Sequence, residues 1–107
     1  MRKLTKSEQK QTWGTSLQGE IETSYSNLVS KFGSPNSEHD EYKTDAEWAL
    51  KDKGTVITIY NYKNGHNYLG KRGKDVANIR TWHIGGKTKK AVDIIKKHFP
   101  NSRVVRK

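Results

Sequence analysis

Two amphipathic helix patterns, each closed by a proline, constrain the fold of this chain more than any other feature of its sequence. Over residues 25–32, apolar side chains recur at helical spacing, and Gly33 and Pro35 then stop the helix. Over residues 87–99, apolar side chains fall on one broad arc and lysines on the other, and Pro100 follows. Each helix offers a single apolar face, so both helices must pack on another layer.

The segments between the helices predict strands. Residues 15–22 alternate loosely, residues 45–52 and 55–62 form a hairpin about the turn Asp52-Lys53-Gly54, and residues 79–84 give a further strand. The order β-α-β-β-β-α predicts a single small α+β domain, with a mainly antiparallel sheet of three or four strands and two helices packed on it. This domain should span residues 13–100, with a basic N-terminal arm over 1–12 and a basic tail over 101–107, where Val104 and Val105 favour a short edge strand.

Apolar residues are scarce, at 31% of the 107 residues. The core is therefore expected to be thin and filled largely by aromatic side chains, including Trp13, Trp48 and Trp82. No apolar run approaches the length of a membrane span, and the chain has no cysteine for disulfides, thiol catalysis or cysteine-based zinc sites. These features predict a protein of a reducing cytoplasm.

The charge of the chain favours acidic partners. The net charge is +10, with cations concentrated in residues 53–74 and 87–107 and acids concentrated in residues 36–52. Nucleic acid is the first expectation, followed by an acidic protein surface and then by anionic lipid. Because neither the acids nor the histidines have a metal-ligand spacing, we expect no metal, no cofactor and no catalytic residue. His39-Asp40-Glu41 with His66 or His83, and Asp45 with Glu47 and Lys51, are the weak alternatives, and a metal-dependent nuclease is the least favoured class.

Aromatic side chains interleave with cations in the hairpin and in the long glycine-rich loop over residues 63–75, as in proteins that bind single-stranded nucleic acid. Tyr60 and Trp82 belong either to this surface or to the core. Two backbone anion sites are also possible, at Gly70-Lys71-Arg72-Gly73-Lys74 and at Gly85-Gly86-Lys87-Thr88. Because a helix holds its lysines in place, the last helix should contribute most of the affinity. The predicted binding residues are Tyr62, Lys63, Tyr68, Lys71, Arg72, Lys74, Arg80, Lys87, Lys89, Lys90, Lys96 and Lys97.

The strings YSNLVSKFGSPN, YKTDAEWAL, GTVITIYNYKNGHNYLG and IRTWHIGGKTKKAVDIIKK resemble a family of small phage-encoded proteins over about residues 15–99. That family shares a helix ending in F-G-x-P, an aromatic hairpin and a W-H-I-G-G turn before the last helix. The resemblance carries over no catalytic residue, and this chain is more basic than the family. It implies a phage accessory protein in the host cytoplasm. There it would inhibit a bacterial defence complex without catalysis, in the manner of an anti-CRISPR protein, by binding a host defence protein or ribonucleoprotein. The alternative is a small basic RNA- or DNA-binding module of phage replication or transcription. The oligomeric state is left open.

Overall fold

One antiparallel sheet organises the computed structural model, which describes residues 1–37 and 43–107. Over these residues the sheet has six strands in the order β1-β3-β4-β5-β2-β6. The strands are β1 Arg2–Lys3, β2 Ser16–Glu22, β3 Glu47–Asp52, β4 Thr55–Tyr60, β5 Thr81–Gly86 and β6 Arg103–Arg106. The α-helices are α1 Tyr25–Phe32, α2 His66–Leu69 and α3 Lys90–His98, and 3-10 turns occupy Lys6–Thr12, Gly70–Arg72 and Val76–Asn78.

The predicted α+β class is confirmed, but the sheet is larger than the three or four strands expected. Its two additional strands come from the termini. Strand β1 pairs with β3, and the Leu4 N–H donates to the Ala49 carbonyl at 2.8 Å. Strand β6 pairs with β2, as Val104 and Val105 suggested. The termini are therefore part of the sheet. The sequence predicted a separate N-terminal arm because a strand of two residues is too short to show a period, whereas the edge strand expected at Val104 and Val105 is present.

Helix α1 has the predicted boundaries because both of its ends are capped. The Ser24 hydroxyl accepts from the Asn27 N–H at 3.0 Å, and Gly33 adopts a φ of 80° while its N–H donates to the Val29 carbonyl at 2.7 Å. Helix α3 begins at Lys90, three residues later than predicted, since the chain continues in β5 as far as Gly86. The 63–75 loop, expected to lack regular structure, contains α2 and a 3-10 turn.

Helices α1 and α3 cover one face of the sheet and form the main core with it. At its centre, the Trp48 and Trp82 rings meet edge to face at 5.6 Å, and Tyr25 of α1 packs against both rings. Trp82 is thus a core residue. Trp13, expected in the core, is 68% exposed instead, because it follows the 3-10 turn on the other side of the sheet. Among the described residues, no helix is long and apolar enough to cross a membrane.

The opposite face of the sheet is covered only in part. The 3-10 turn Lys6–Thr12 packs against β4, and Leu4, Ala49 and Val56 form a second small apolar cluster there. Beyond this cluster, Tyr60 of β4 and His83 of β5 are cross-strand partners. Side chains alternate along a strand, so His83 points away from the core that holds Trp82. We call the region around Tyr60, Tyr62 and His83 the open face.

The buried position of Leu4 predicts that the first residues stabilise the domain. Leu4→Ala should lower the free energy of unfolding by about 2 kcal/mol or more, because it removes a leucine that is 3% exposed from a packed cluster. Leu17→Ala is the matched control: Leu17 is 43% exposed, and its loss should change stability by no more than about 0.5 kcal/mol. Urea denaturation of both variants measures the difference, and equal effects would show that the N-terminal residues do not belong to the folded unit.

Candidate nucleic-acid interface

Three aromatic rings are in contact on the open face. The Tyr60 ring meets His83 edge on at 5.4 Å, and the Tyr62 ring stacks on His83 at 5.6 Å with an interplanar angle of 25°. Tyr62 remains 39% exposed. Burial lowers the pKa of His83; the charge of Glu20 opposes this effect and that of Lys107 adds to it, so the neutral imidazole is favoured. We call the rings of Tyr60, Tyr62 and His83 the aromatic platform. Tyr62 is its exposed ring, and His83 supports Tyr62 by stacking against it.

Lysine ammonium groups flank this platform. The Lys63 Nζ lies 5.2 Å from the centres of both the Tyr62 and the Tyr68 rings, and the Lys43 Nζ lies 5.9 Å from the Tyr62 ring. These distances are within the range of cation–π attraction. Of the predicted binding residues, the structure therefore brings Tyr62, Lys63 and Tyr68 together. It adds Lys43, which sequence analysis missed because this lysine lies in the acidic segment.

The buried side chain of Asn61 positions the platform. Its Oδ1 accepts from the Asp45 N–H at 2.7 Å and from the Ala46 N–H at 3.0 Å. Its Nδ2 donates to Asp45 Oδ1 at 2.9 Å and to Asn64 Oδ1 at 3.0 Å. The amide thus uses two donors and two acceptors, its full capacity. Tyr62 follows Asn61 directly, so this network fixes where the exposed ring emerges.

The same network ties the 63–75 loop to the sheet. Asp45 Oδ2 accepts from the Asn67 N–H at 3.1 Å, and Asn67 Nδ2 donates to the Thr44 carbonyl at 2.9 Å. Gly65 lies against the Asp45 carboxylate, where any Cβ would overlap it. Because a glycine is needed for this approach, Gly65 anchors the loop over residues 63–75 to the sheet.

The loop closes on itself and displays its cations. The Gly73 N–H donates to the Gly70 carbonyl at 3.0 Å, and the Lys74 N–H donates to the Asn64 carbonyl at 2.9 Å. These two amides, considered above as phosphate ligands, are therefore used within the loop. The side chains of Lys71, Arg72 and Lys74 are exposed.

The His66 ring contacts both Gly70 and Asp75 of the loop, an arrangement that we call the His66 clamp. Its Nδ1 lies 2.6 Å from the Gly70 carbonyl oxygen, and its Nε2 lies 2.5 Å from Asp75 Oδ1. A carbonyl and a carboxylate both accept, so both ring nitrogens donate only when His66 is an imidazolium ion. The bond to Gly70 and then the bond to Asp75 raise the pKa of His66, and the charges of Asp75 and Asp45 add to this.

The predicted helix surface lies on the other side of the sheet. Lys90, Lys96 and Lys97 are exposed on α3, which packs on the face that holds Trp82, so they point away from Tyr62. Lys89 was predicted to bind a partner, but its Nζ donates to the Gln18 carbonyl at 3.1 Å and to the Lys107 carbonyl. The Lys89 side chain thus links the start of α3 to β2 and to the last residue of the chain. Lys87 is exposed after β5, and Arg80 is exposed before it.

The glycines of the W-H-I-G-G string have a packing role. Both Gly85 and Gly86 lie within β5 rather than in a turn before the helix. A Cβ on Gly85 would collide with the Thr58 hydroxyl, and one on Gly86 would lie 2.7 Å from the Ala91 Cβ. The two glycines considered above as part of an anion site therefore allow β5 to pack closely against β4 and α3.

The acidic residues considered for catalysis do not converge. Glu47 is buried and accepts from the Ser37 hydroxyl at 2.6 Å, Asp45 belongs to the Asn61 network, and the Lys51 Nζ donates to Gln11 Oε1 at 3.0 Å. Within the described part of the chain, no group of three or more histidines and acids is placed to hold a metal. His39, Asp40 and Glu41 lie outside the described residues.

Comparison of the chain with protein-family models, with curated protein sequences and with solved structures gives no match.

The His66 clamp predicts a pH-dependent loop. Since its pKa is raised in the folded protein, the clamp contributes fully below pH ~6.5 and is lost as the pH rises through the raised value. NMR titration should find the pKa of His66 above its ordinary value, and Asp75→Asn should lower it. Asp93→Asn is the matched control, because Asp93 pairs with Arg106 instead. An unshifted pKa in the wild type, or the same shift in both variants, would contradict the clamp.

Proposed function

We propose that this protein binds single-stranded nucleic acid on the open face of its sheet. The observation that carries the proposal is the exposed Tyr62 ring, stacked on His83 and flanked by the ammonium groups of Lys43 and Lys63. Proteins that bind single strands combine aromatic side chains, on which bases stack, with cations that follow the backbone. The open face and the adjoining loop cations Lys71, Arg72 and Lys74 offer both.

A duplex is a poorer fit to this surface. Its bases are stacked inside the helix, so the Tyr62 and Tyr68 rings would have no base face to contact. A single strand can stack a base on Tyr62 while its phosphates lie near Lys43, Lys63 and the loop cations. The lysines of α3, on the other side of the sheet, add to the long-range attraction of a chain with net charge +10.

The role is proposed as binding without catalysis. In the setting that the phage-family resemblance implies, the strand bound on the open face would be the nucleic acid of a host defence ribonucleoprotein, which the protein would inhibit. That inhibitory role and the location in the host cytoplasm stay predictions of the resemblance. The alternative of a nucleic-acid-binding module in phage replication or transcription would use the same surface.

Removal of the Tyr62 ring should weaken binding without unfolding the protein. Tyr62→Ala should raise the Kd for an eight-nucleotide single strand of DNA or RNA by about tenfold, since one stacked base contributes about 1–3 kcal/mol. Tyr62→Phe, which keeps the ring, should bind like the wild type. Fluorescence anisotropy measures both, and circular dichroism checks the fold. Unchanged binding by Tyr62→Ala would place the interaction elsewhere on the molecule.

A further inference from the structure

The exposed Trp13 side chain borders a cavity on the same side of the sheet as the aromatic platform. Trp13 follows the 3-10 turn Lys6–Thr12, and its side chain is 68% exposed, whereas Trp48 and Trp82 are fully buried. The cavity has a volume of about 820 Å³, which is ample for a nucleobase with its sugar. Its lining includes Leu4, Lys6, Lys10, Trp13, Pro35 and Ala46.

The backbone on both sides of Trp13 is fixed by hydrogen bonds. The Trp13 N–H donates to the Lys10 carbonyl at 3.1 Å, and the Thr12 hydroxyl donates to the Gln9 carbonyl at 2.8 Å. After Trp13, the Thr15 hydroxyl and N–H both donate to the Thr12 carbonyl, at 2.7 and 3.2 Å. The turn thus presents the indole ring from a defined backbone position, so little backbone freedom is lost when a ligand stacks on it.

Two lysines give this cavity a positive rim. Lys6 and Lys10 belong to its lining, and both are exposed. In the part of the chain that the structure describes, neither ammonium group forms an ion pair with a carboxylate. Asp45 also lines the cavity, but its two oxygens accept from Asn61 Nδ2 and from the Asn67 N–H. An exposed ring beside unpaired cations suits a ligand that combines a flat ring with a phosphate.

A smaller cavity of about 170 Å³ lies between this site and the aromatic platform. Thr12 lines both cavities, and Tyr60 and Tyr62 line the smaller one. The two cavities therefore adjoin at Thr12, with Trp13 on one side of it and Tyr62 on the other. A single strand stacked on Tyr62 can thus pass over Thr12 toward Trp13.

We propose that Trp13 is a second stacking site for the strand bound at Tyr62, with Lys6 and Lys10 as contacts for its phosphates. One exposed tryptophan alone is ordinary on a protein surface, and its combination with a cavity and two cations is what points to a ligand. Because both stacked bases belong to one strand, the second contact is intramolecular once the first is made. This inference rests on the proposed single-strand binding and adds the path of the bound strand to it.

Tryptophan fluorescence tests the proposal, because Trp13 is exposed while Trp48 and Trp82 are buried. Titration of the wild type with (dT)12 should quench the acrylamide-accessible emission. The quenching should saturate at one strand per protein, with the Kd that fluorescence anisotropy gives. Trp13→Phe keeps a ring for stacking, so its Kd should stay within about twofold of the wild-type value, without that quenching.

Variants without a ring at position 13 test the stacking itself. Trp13→Ala should raise the Kd for (dT)12 by about tenfold, since one stacked base contributes about 1–3 kcal/mol. Trp13→Leu, which is apolar but has no ring, should weaken binding to the same extent. Circular dichroism checks that both variants fold, as expected for an exposed side chain.

Two kinds of failure are distinguishable. Binding of (dT)12 with unchanged Trp13 emission, or quenching that begins only after one strand per protein has bound, would overturn the Trp13 site and leave the proposed function standing. Wild-type affinity in Trp13→Ala or Trp13→Leu would do the same. Failure of the wild type to bind (dT)12 would overturn both.

Discussion

The placement of the open face depends on one buried amide. Asn61 is fully buried, and its four hydrogen bonds join the residues before β3 to the end of β4 and to the start of the 63–75 loop. A buried polar group left unpaired costs about 1–3 kcal/mol, so each partner of Asn61 is strongly held in place. The Lys63 N–H, which donates to the Lys43 carbonyl at 2.8 Å, extends the same connection. The two lysines beside Tyr62 are therefore positioned by the buried network below them.

The sheet divides the basic surface into two sides with different properties. On the helix side, the rings of Trp48 and Trp82 are buried in the core, and Lys90, Lys96 and Lys97 are exposed together with polar residues such as Asp93. On the open side, aromatic rings and cations are exposed together. Affinity for a single strand depends on both components, because stacking orders the bases and charge attracts the backbone. This difference is why the open face, rather than the lysine side of α3, which Asp93 interrupts, is the better candidate for specific contact.

The sequence predicted the elements whose signals are local. Helix α1 follows from its apolar spacing and its caps, and the hairpin of β3 and β4 follows from β-branched residues around Lys53-Gly54. The edge strand β1 could not be predicted from the sequence, because two residues show no hydrophobic period. Its position depends on pairing with β3, which is distant in the chain. The Asn61 network could not be predicted for a related reason. The sequence does not distinguish a buried asparagine from an exposed one, and the partners of Asn61 lie up to 16 positions away. The proximity of Tyr62, Lys63 and Tyr68 could be anticipated because they are near neighbours in the chain, whereas the helical pattern does not show the tertiary partners of Lys89.

The most direct test of the central claim compares two double charge reversals of equal size on the two sides of the sheet. Lys43→Glu with Lys63→Glu alters the open face, and Lys90→Glu with Lys97→Glu alters the exposed lysines of α3. Binding of an eight-nucleotide single strand is measured across a salt titration. The open-face pair should lose affinity strongly and flatten the log–log salt slope by about 0.7 for each phosphate contact removed, while the helix pair changes the slope little. A flattened slope in the helix pair, with the open-face pair still binding like the wild type, would contradict the account.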